Sequence, residues 1–441
     1  MNRRDEYWTL ISELKEEPAA LDTSVRRAVQ RAKRRRWKRP LSALGSLAGV
    51  CAAFVLMVNA SPAFAVSCGS IPILKEIAAA VAWSPSLKSA IEHDFVQYIG
   101  QSQTVDGVTL TLESVIADAQ QMVVFYRTDF PAGEDDLWHA VSCDLKDMDG
   151  KALDQYSVTS GSSQENLNRF EIHFTDYAPP QDLILDLQLH FHNGEDERQS
   201  TSEYTFTLHL NPKKIAQKVE VPVNQWVELD GQRLLVERLE LSPTKTALYL
   251  DDDSANTAWL KSLDFYFTDR DGNRYDKTDS SVGATGRSGT EGFYTYYHQS
   301  LYFLEDLDGL KLHITGATWQ DKDEHTIHID LTTGQADWLP EYILDLEVRE
   351  ENYVDDGAQK TLYISSTGQR MCLDYTYYDP EGGEHRFNGG GMSQGYTDDQ
   401  GVYHPHRFYY MLKDYPFDQV TVELAYTHVT RLDTPLELSI S

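Results

Sequence analysis

The sequence is short of positive charge over most of its length. Of its 39 Lys and Arg, 12 fall within residues 1–40, which leaves 27 against 63 Asp and Glu in the rest. The formal charge is therefore +6 before Leu41 and −36 after it. A body so acidic repels nucleic acid and anionic polymers at long range and suits cationic partners or plain solubility. Cysteine is scarce as well: Cys51, Cys68, Cys143 and Cys372 lie in separate regions. Three of them follow the apolar run, so there is no complete disulfide framework, and no pair has metal-ligand spacing. Cys143 and Cys372 are expected to be small buried hydrophobes. His-Glu-x-x-His, a phosphate loop and a Cys/His nucleophile signature are all missing, so the sequence predicts no enzyme, no metal and no cofactor.

Long apolar runs are also rare, and the single one present organises the chain. Leu41 to Val58 carries no charged residue, and extended to Ala60 it makes 20 residues. As a helix this run would reach about 30 Å, the thickness of a bilayer's hydrocarbon core. Nine Lys or Arg and no acid lie between Arg26 and Arg39, with Trp37 at the inner interface. Basic flanks stay cytoplasmic, so the N-terminus is predicted inside and everything after Asn59 outside the cell membrane. A second reading takes Ala63-Phe64-Ala65 as a signal-peptidase site. Against it, the apolar run is longer than an h-region and a 40-residue, folded-looking segment precedes it.

Within that tail, Tyr7, Leu10, Ile11 and Leu14 recur at i, i+3, i+4 and i+7, which predicts a helix from Asp5 to Glu17 ended by Pro18. A second helix is predicted from about Asp22, with Val25, Ala28, Val29 and Ala32 on one side. Two helices in so short a segment bury little by themselves, so the Tyr7, Leu10, Ile11, Leu14 stripe either docks on a partner, as the candidate partner-binding face, or lies on the bilayer, or stays partly frayed. Beyond the membrane, Ile71 to Ala82 has helical spacing. Ser84-Pro85 then starts a short helix to about His93, read as a stalk.

From Gln101 onward the pattern turns to period two and repeats itself. VDGVTLTLESVIADAQQMVVFY from Val105 returns as LDGQRLLVERLELSPTKTALYL from Leu229, and Asp147-Met148-Asp149-Gly150 returns as Asp269-Arg270-Asp271-Gly272. Leu185, Leu187 and Leu189 match Leu310, Leu312 and Ile314, and Phe206, Leu208 and Leu210 match Ile327, Ile329 and Leu331. A third copy sets Tyr375, Tyr377, Asp379 and Gly382 against Phe265, Phe267, Asp269 and Gly272, with Val420, Val422 and Leu424 as its later strand. The predicted class is mainly β, with tandem immunoglobulin-like sandwiches at residues 101–212, 213–334 and 335–441. These follow a cytoplasmic tail (1–40), a transmembrane helix (41–60) and a helical stalk (61–100). Connections near Asn211-Pro212 and Thr332 to Pro340 are short, so the modules are expected to be semi-rigidly joined.

The basic tail and apolar helix, then NASPAFA, IPILKEIAAAVAWSPSLKSAIEHDFVQYIGQ and VDGVTLTLESVIADAQQMVVFY, resemble a family of unknown function from Gram-positive bacteria, chiefly clostridia and bacilli. This is the domain of unknown function 4179 type, and the match covers about Arg26 to Asp129. The resemblance implies a single-pass protein often encoded beside an extracytoplasmic-function sigma factor, and an anti-sigma-type regulator as its role. It supplies no functional residues. The expected function is thus a membrane-anchored envelope sensor whose tail meets a cytoplasmic partner such as a sigma factor. The alternative is a cell-surface binding or scaffold protein without a signalling role.

Other candidate chemistry is thin. Asp269-Arg270-Asp271-Gly272-Asn273 has oxygen ligands at calcium-loop spacing, but its counterparts at Asp147 and Asp379 point to a type I′ hairpin turn. Glu324-His325 with His328, and the pair His404 and His406, have metal-like spacing, but alternate residues on a strand share a face and no third clustered ligand is present, so core or surface histidines are expected. The Gly-, Tyr- and His-rich segment from Glu381 to His406 is the first place to look for an envelope ligand, although it also reads as a long exposed loop.

Overall fold

The computed structural model describes residues 84–440, apart from 132–137, 162–166, 175–176, 193–199, 278–282, 287–292, 354–356, 369 and 399–400. The predicted tail helices, the span 41–60 and the stalk up to residue 83 lie outside the described residues. Among those described, no helix is long and apolar enough to cross a membrane. Helix α1 (Pro85–Glu92) begins as its sequence predicts: Ser84 caps it, its hydroxyl accepting from the Leu87 amide at 3.3 Å, and Pro85 opens the first turn. It is not a free stalk. Leu87 and Ala90 are buried, and the Ser86 hydroxyl accepts from the Ser300 amide at 2.8 Å. His93 stacks on Phe303 with centroids 4.2 Å apart.

The first module contains β1 (Val96–Val105), β2 (Val108–Ala117), β3 (Gln121–Asp129), β4 (Trp138–Lys146), β5 (Tyr156–Gly161), β6 (Asn168–Phe174), β7 (Asp182–His192) and β8 (Ser200–His209). Alternation drives it: β2 turns Val108, Leu110 and Leu112 inward while the residues between them stay half-buried. The sheets run β1-β2-β3-β6-β5 and β4-β7-β8, all antiparallel, and close over one core containing Leu112, Tyr126 and Phe170 from one layer and Leu185, Leu187 and Phe206 from the other.

The second module repeats the plan with β9 (Val219–Leu229), β10 (Gln232–Leu241), β11 (Thr246–Asp252), β12 (Ala258–Thr268), β13 (Arg274–Tyr275), β14 (Ala284–Gly286), β15 (Phe293–His298) and β16 (Lys311–Asp321). Even irregularities recur. β1–β2 and β9–β10 both turn on Asp-Gly with left-handed φ at both residues, 51° and 85° in the first and 55° and 73° in the second, the primed geometry that fits strand twist. Glu113 and Glu237 are the extra residues at matching bulges toward β3 and β11.

The remaining strands are β17 (Thr326–Asp330), β18 (Gln335–Ala336), β19 (Ile343–Tyr353), β20 (Gly357–Ser366), β21 (Leu373–Tyr378), β22 (Glu384–Arg386), β23 (Gly389–Ser393), β24 (Tyr396–Thr397), β25 (Tyr403–His404), β26 (His406–Lys413), β27 (Gln419–Leu424) and β28 (His428–Ser439). Here the pairing departs from the repeat. Sequence spacing puts β17 after β16 in the second module and β28 after β27 in the third. Instead β28 pairs with β16, in the sheet β13-β12-β16-β28, and β17 pairs with β27, in β18-β17-β27-β21-β22. The cores follow: Leu436, Leu438 and Ile440 pack in the second, Ile327, Ile329 and Leu331 in the third. The third module's other layer is β19-β20-β26-β23.

Strand length explains the exchange. β16 has 11 residues and β28 has 12, whereas β17 has 5 and β27 has 6. Pairing β16 with its sequence neighbour would leave half of its edge bare, with unmade hydrogen bonds on a central strand. The chain therefore crosses between these modules twice, at residues 322–325 and 425–427, and the segment Thr332 to Pro340 lies inside the third module. Gln320 Nε2 donates to the Leu424 carbonyl at 2.6 Å, and the Asp321 amide to the Thr427 hydroxyl at 3.0 Å, beside these crossings.

A buried polar contact joins the first and second modules. Asp118, fully buried at the β2–β3 turn, accepts from the Gln120 and Gln121 amides, and its other oxygen accepts from the Thr244 amide at 3.0 Å and hydroxyl at 2.6 Å. Beside it Lys245 places Nζ 3.2 Å from His173 Nδ1 and 4.1 Å from the Tyr297 ring centre. Gln120 reaches Glu240 at 3.2 Å, and Lys218 and Arg238 hold the same carboxylate. Burial alone would raise the Glu171 carboxyl, but His173 and Arg169 outweigh it and keep the group below the usual carboxylate range. Lys214, on the turn Pro212–Lys214, donates to Asp94 and to the Val96 carbonyl and ties the same joint to the end of α1.

Candidate functional site

The outward face of the third module's β19-β20-β26-β23 sheet carries the most distinctive exposed chemistry. Period-two alternation sends Leu362, Ile364, Phe408, Tyr410 and Leu412 into the core. The intervening residues then form rows across the strands. One row is Glu347, Tyr363, Tyr409 and Gly391; beside it run Asp345, Ser365, Arg407 and Ser393.

Tyr363 lies between two guanidiniums, with Arg349 4.9 Å and Arg407 4.6 Å from its ring centre. Glu347 holds both: Arg349 donates from Nε and Nη2 at 2.7 and 2.8 Å, and Arg407 donates from Nη2 at 2.6 Å. The hydrogen-bonded Arg349 holds the Glu347 carboxyl below its usual range, and Glu347 raises Arg349 in turn. The Tyr363 hydroxyl donates to Glu351 at 2.8 Å. Next in the row, Tyr409 rests on Gly391: a Cβ there would come within 2.5 Å of the ring. Glycine at this edge lets the tyrosine lie against the backbone, and the residue stays 37% exposed.

A small hairpin grows from the end of the same strands. Tyr396 stacks on His404 with centroids 4.6 Å apart, and His404 Nε2 is 3.0 Å from Asp398. Tyr396, Val402, Tyr403 and Met392 are all exposed here. The segment Glu381–His406, singled out from its composition, contains the short strands β22 to β25 joined by turns and borders the tyrosine face. Reading the sequence did not find Tyr363, Arg349 or Glu347; the only signal was their alternate spacing in strands. The same segment holds Gly391-Met392-Ser393-Gln394-Gly395, which has the spacing of a nucleophile elbow. Ser393 lies in β23 opposite Arg407, in an antiparallel pair with no strand-to-helix turn, so the elbow geometry is not met.

The module's other sheet has an open cleft of about 660 Å³ lined by His328, Asp330, Asp337, Tyr378, Asp379 and Thr421. Its carboxylates are engaged by the fold: Asp330 accepts from the Thr332 and Thr333 amides, Asp337 from those of His328 and Trp338, and Asp379 from those of Glu381 and Gly383.

Asp147, Asp269 and Asp379 each cap a hairpin, and Asp398 makes a fourth such turn. Only the glycine of each is left-handed, as at Gly272 with φ 81°, so these are bulged turns in place of the type I′ turns expected. Among the described residues, no group of three His, Cys, Asp or Glu is placed to hold a metal. His325 packs edge-on to Trp259, His328 meets the Thr421 hydroxyl at 2.7 Å, and His406 accepts from the Gly395 amide at 3.0 Å. Cys143 and Cys372 are buried free thiols, as expected. The candidate partner face Tyr7, Leu10, Ile11 and Leu14 lies outside the described residues.

Residues 32–129 match the model of a domain of unknown function, DUF4179, and residues 218–348 match that of a second family of unknown function, DUF5643. The second match runs through β17, the strand that leaves the second module for the third. No curated protein matches the chain. Among solved structures, a conserved domain protein from Bacillus anthracis is 15% identical over 55% of this chain and 84% of its own, with a TM-score of 0.39. An uncharacterized protein, lmo2446, from Listeria monocytogenes EGD-e is 8% identical over 70% of this chain and 29% of its own, with a TM-score of 0.14.

Proposed function

We propose that this DUF4179-bearing chain is a single-pass membrane protein with an extracytoplasmic, immunoglobulin-like ectodomain that senses the envelope and meets a cytoplasmic partner, such as a sigma factor, through its tail. The strand order supports the fold assignment: β2-β3-β6-β5 against β4-β7-β8 corresponds to A-B-E-D against C-F-G, with β1 added beside the first strand. The uncharged run Leu41–Ala60 supports the anchor, and the nine Lys or Arg between Arg26 and Arg39 support a cytoplasmic tail with the rest outside.

The observation that carries a sensing role is the clamping of α1. The chain leading out of the apolar run enters the ectodomain by a helix fixed to the second module through Ser86 and His93 and followed at once by β1 of the first. A ligand that shifts that joint has a direct covalent path back to the anchor. The exposed Tyr363–Tyr409 face equally favours the alternative, a surface binding protein without signalling.

Two measurements test the reading. A membrane-impermeant thiol reagent on intact cells should label an engineered cysteine in the ectodomain and miss one before Arg26; label on both, or an ectodomain released from Val66, overturns the topology. Leu10→Asp with Leu14→Asp should abolish capture of the cytoplasmic partner and alter transcription with insertion unchanged. If the transcript profile is that of the wild type, the binding-protein alternative replaces the regulator.

A further inference from the structure

We propose that the outward face of the β19-β20-β26-β23 sheet is a platform for a neutral glycan, a ligand class that rests on the reading of this module as exposed outside the membrane. Three features of the face select that chemistry. Its surface is aromatic: Tyr409, 37% exposed, offers the ring, and its cross-strand neighbour Tyr363, with centroids 6.2 Å apart and planes 38° from one another, holds the two guanidiniums beside it. Glycine at Gly389 and Gly391 removes the side chains that would wall the face off along β23. A sugar ring offers a matching surface, since its axial C–H groups make a flat apolar patch suited to a tyrosine ring.

The polar groups around the rings are planar, fixed and bidentate, the geometry that holds pairs of adjacent hydroxyls. Each guanidinium has five donors, of which Glu347 takes two from Arg349 and one from Arg407. The same salt bridges set the face's charge. Arg349 and Arg407 are offset by Glu347, with Glu351 and Asp345 nearby, so the face presents no net cationic site for a phosphate or carboxylate polymer. The chain beyond residue 40, this face included, carries a formal charge of −36, which repels such polyanions at long range. A hydroxyl-rich, uncharged ligand meets neither obstacle. The hairpin bearing Tyr396 and Tyr403, which continues from the end of β23 and leads into β26, carries two further exposed tyrosines.

The test uses the full-length protein in detergent with chitohexaose and cellohexaose as probes, and heparin and an extended neutral peptide as controls, followed by titration calorimetry. One or both oligosaccharides should bind with an affinity unchanged between 50 and 500 mM salt, roughly the range over which screening collapses a charge-driven contact. Tyr409→Ala and Arg407→Ala should each weaken binding at least tenfold with an unchanged circular dichroism spectrum, whereas Tyr409→Phe, which keeps the ring, should bind as the wild type. No saturable binding of either oligosaccharide, binding indifferent to Tyr409→Ala, or salt-sensitive binding of heparin in their place overturns the proposal. Binding of the peptide alone would make the face a protein-docking surface and overturn it too. These outcomes are independent of topology: a thiol-labelling result that moved the module to the cytoplasm would refute the envelope reading while leaving the calorimetry as it stands.

Discussion

Replacing Lys245 by Met should remove an alkaline rise in stability that the wild-type protein shows. The lysine is wholly enclosed between His173 and the Tyr297 ring, and burial pushes its ammonium down to about 8 from 10.5, although Asp118 and Glu171 pull the other way. The folded state thus binds this proton more weakly than the unfolded chain does. Below pH 8 both states hold it and the folded protein carries the full cost, about 3 kcal/mol from the separation of the two values. Between pH 8 and 10.5 only the unfolded state stays protonated, so stability increases with pH; above that window the cost is gone. Other groups titrate in wild type and variant alike and cancel in the difference. The assay is guanidinium unfolding followed by tryptophan fluorescence, to which Trp319, fully buried in the second module, contributes, at pH steps from 7 to 11. The wild type should gain about 3 kcal/mol on the variant across the window. Parallel curves would show that Lys245 is hydrated and that the contact between the modules is open.

Thr244→Val keeps the amide bond to Asp118 but loses the 2.6 Å hydroxyl bond to a buried carboxylate, and should cost about 1.5–3 kcal/mol in the same unfolding assay. Gly316→Ala would set a Cβ 2.5 Å from the Thr430 carbonyl at the β16–β28 bulge, so about 1–3 kcal/mol of strain and faster hydrogen exchange along β28 are expected. A chain ending at Tyr426 should expose Trp319 to quencher while the third module, which already holds β17, stays protease-resistant. Burial pushes the Cys143 thiol up, and the Cys372 thiol up to about 11, so peptide mapping after iodoacetamide at pH 8 should find neither modified until denaturant is added.

The repeat was legible because turn chemistry is local: Asp106-Gly107 and Asp230-Gly231 announce the same hairpin in any context. Partner choice was not. The alternating patterns of β17 and β28 satisfy either sheet equally, and what separates them, a five-residue strand against a twelve-residue one, shows only when both candidate partners are measured. The tyrosine face was hidden for a related reason, since an outward Tyr363 and an inward Tyr410 look alike until the register is known. Gly389–Gly391 read as loop because glycine weakens strands, yet here Tyr409 covers the backbone that glycine leaves bare. Asp118, His173 and Lys245 met no sequence criterion at all: they belong together only because two modules press them into contact.

The exchange of β17 and β28 also orders events in time. As the chain is synthesised, the third module receives its last strand, β27, before β28 exists, so the module made later can close first. The second must wait with the edge of β16 unpaired while more than a hundred further residues emerge. At ribosomal speed that interval is about 5–20 s. Throughout it, an eleven-residue edge rich in buried positions is open to any extended segment that reaches it, including β17 of the same chain or β28 of a neighbour. Covering this edge until β28 emerges would therefore favour the native pairing over either mispairing.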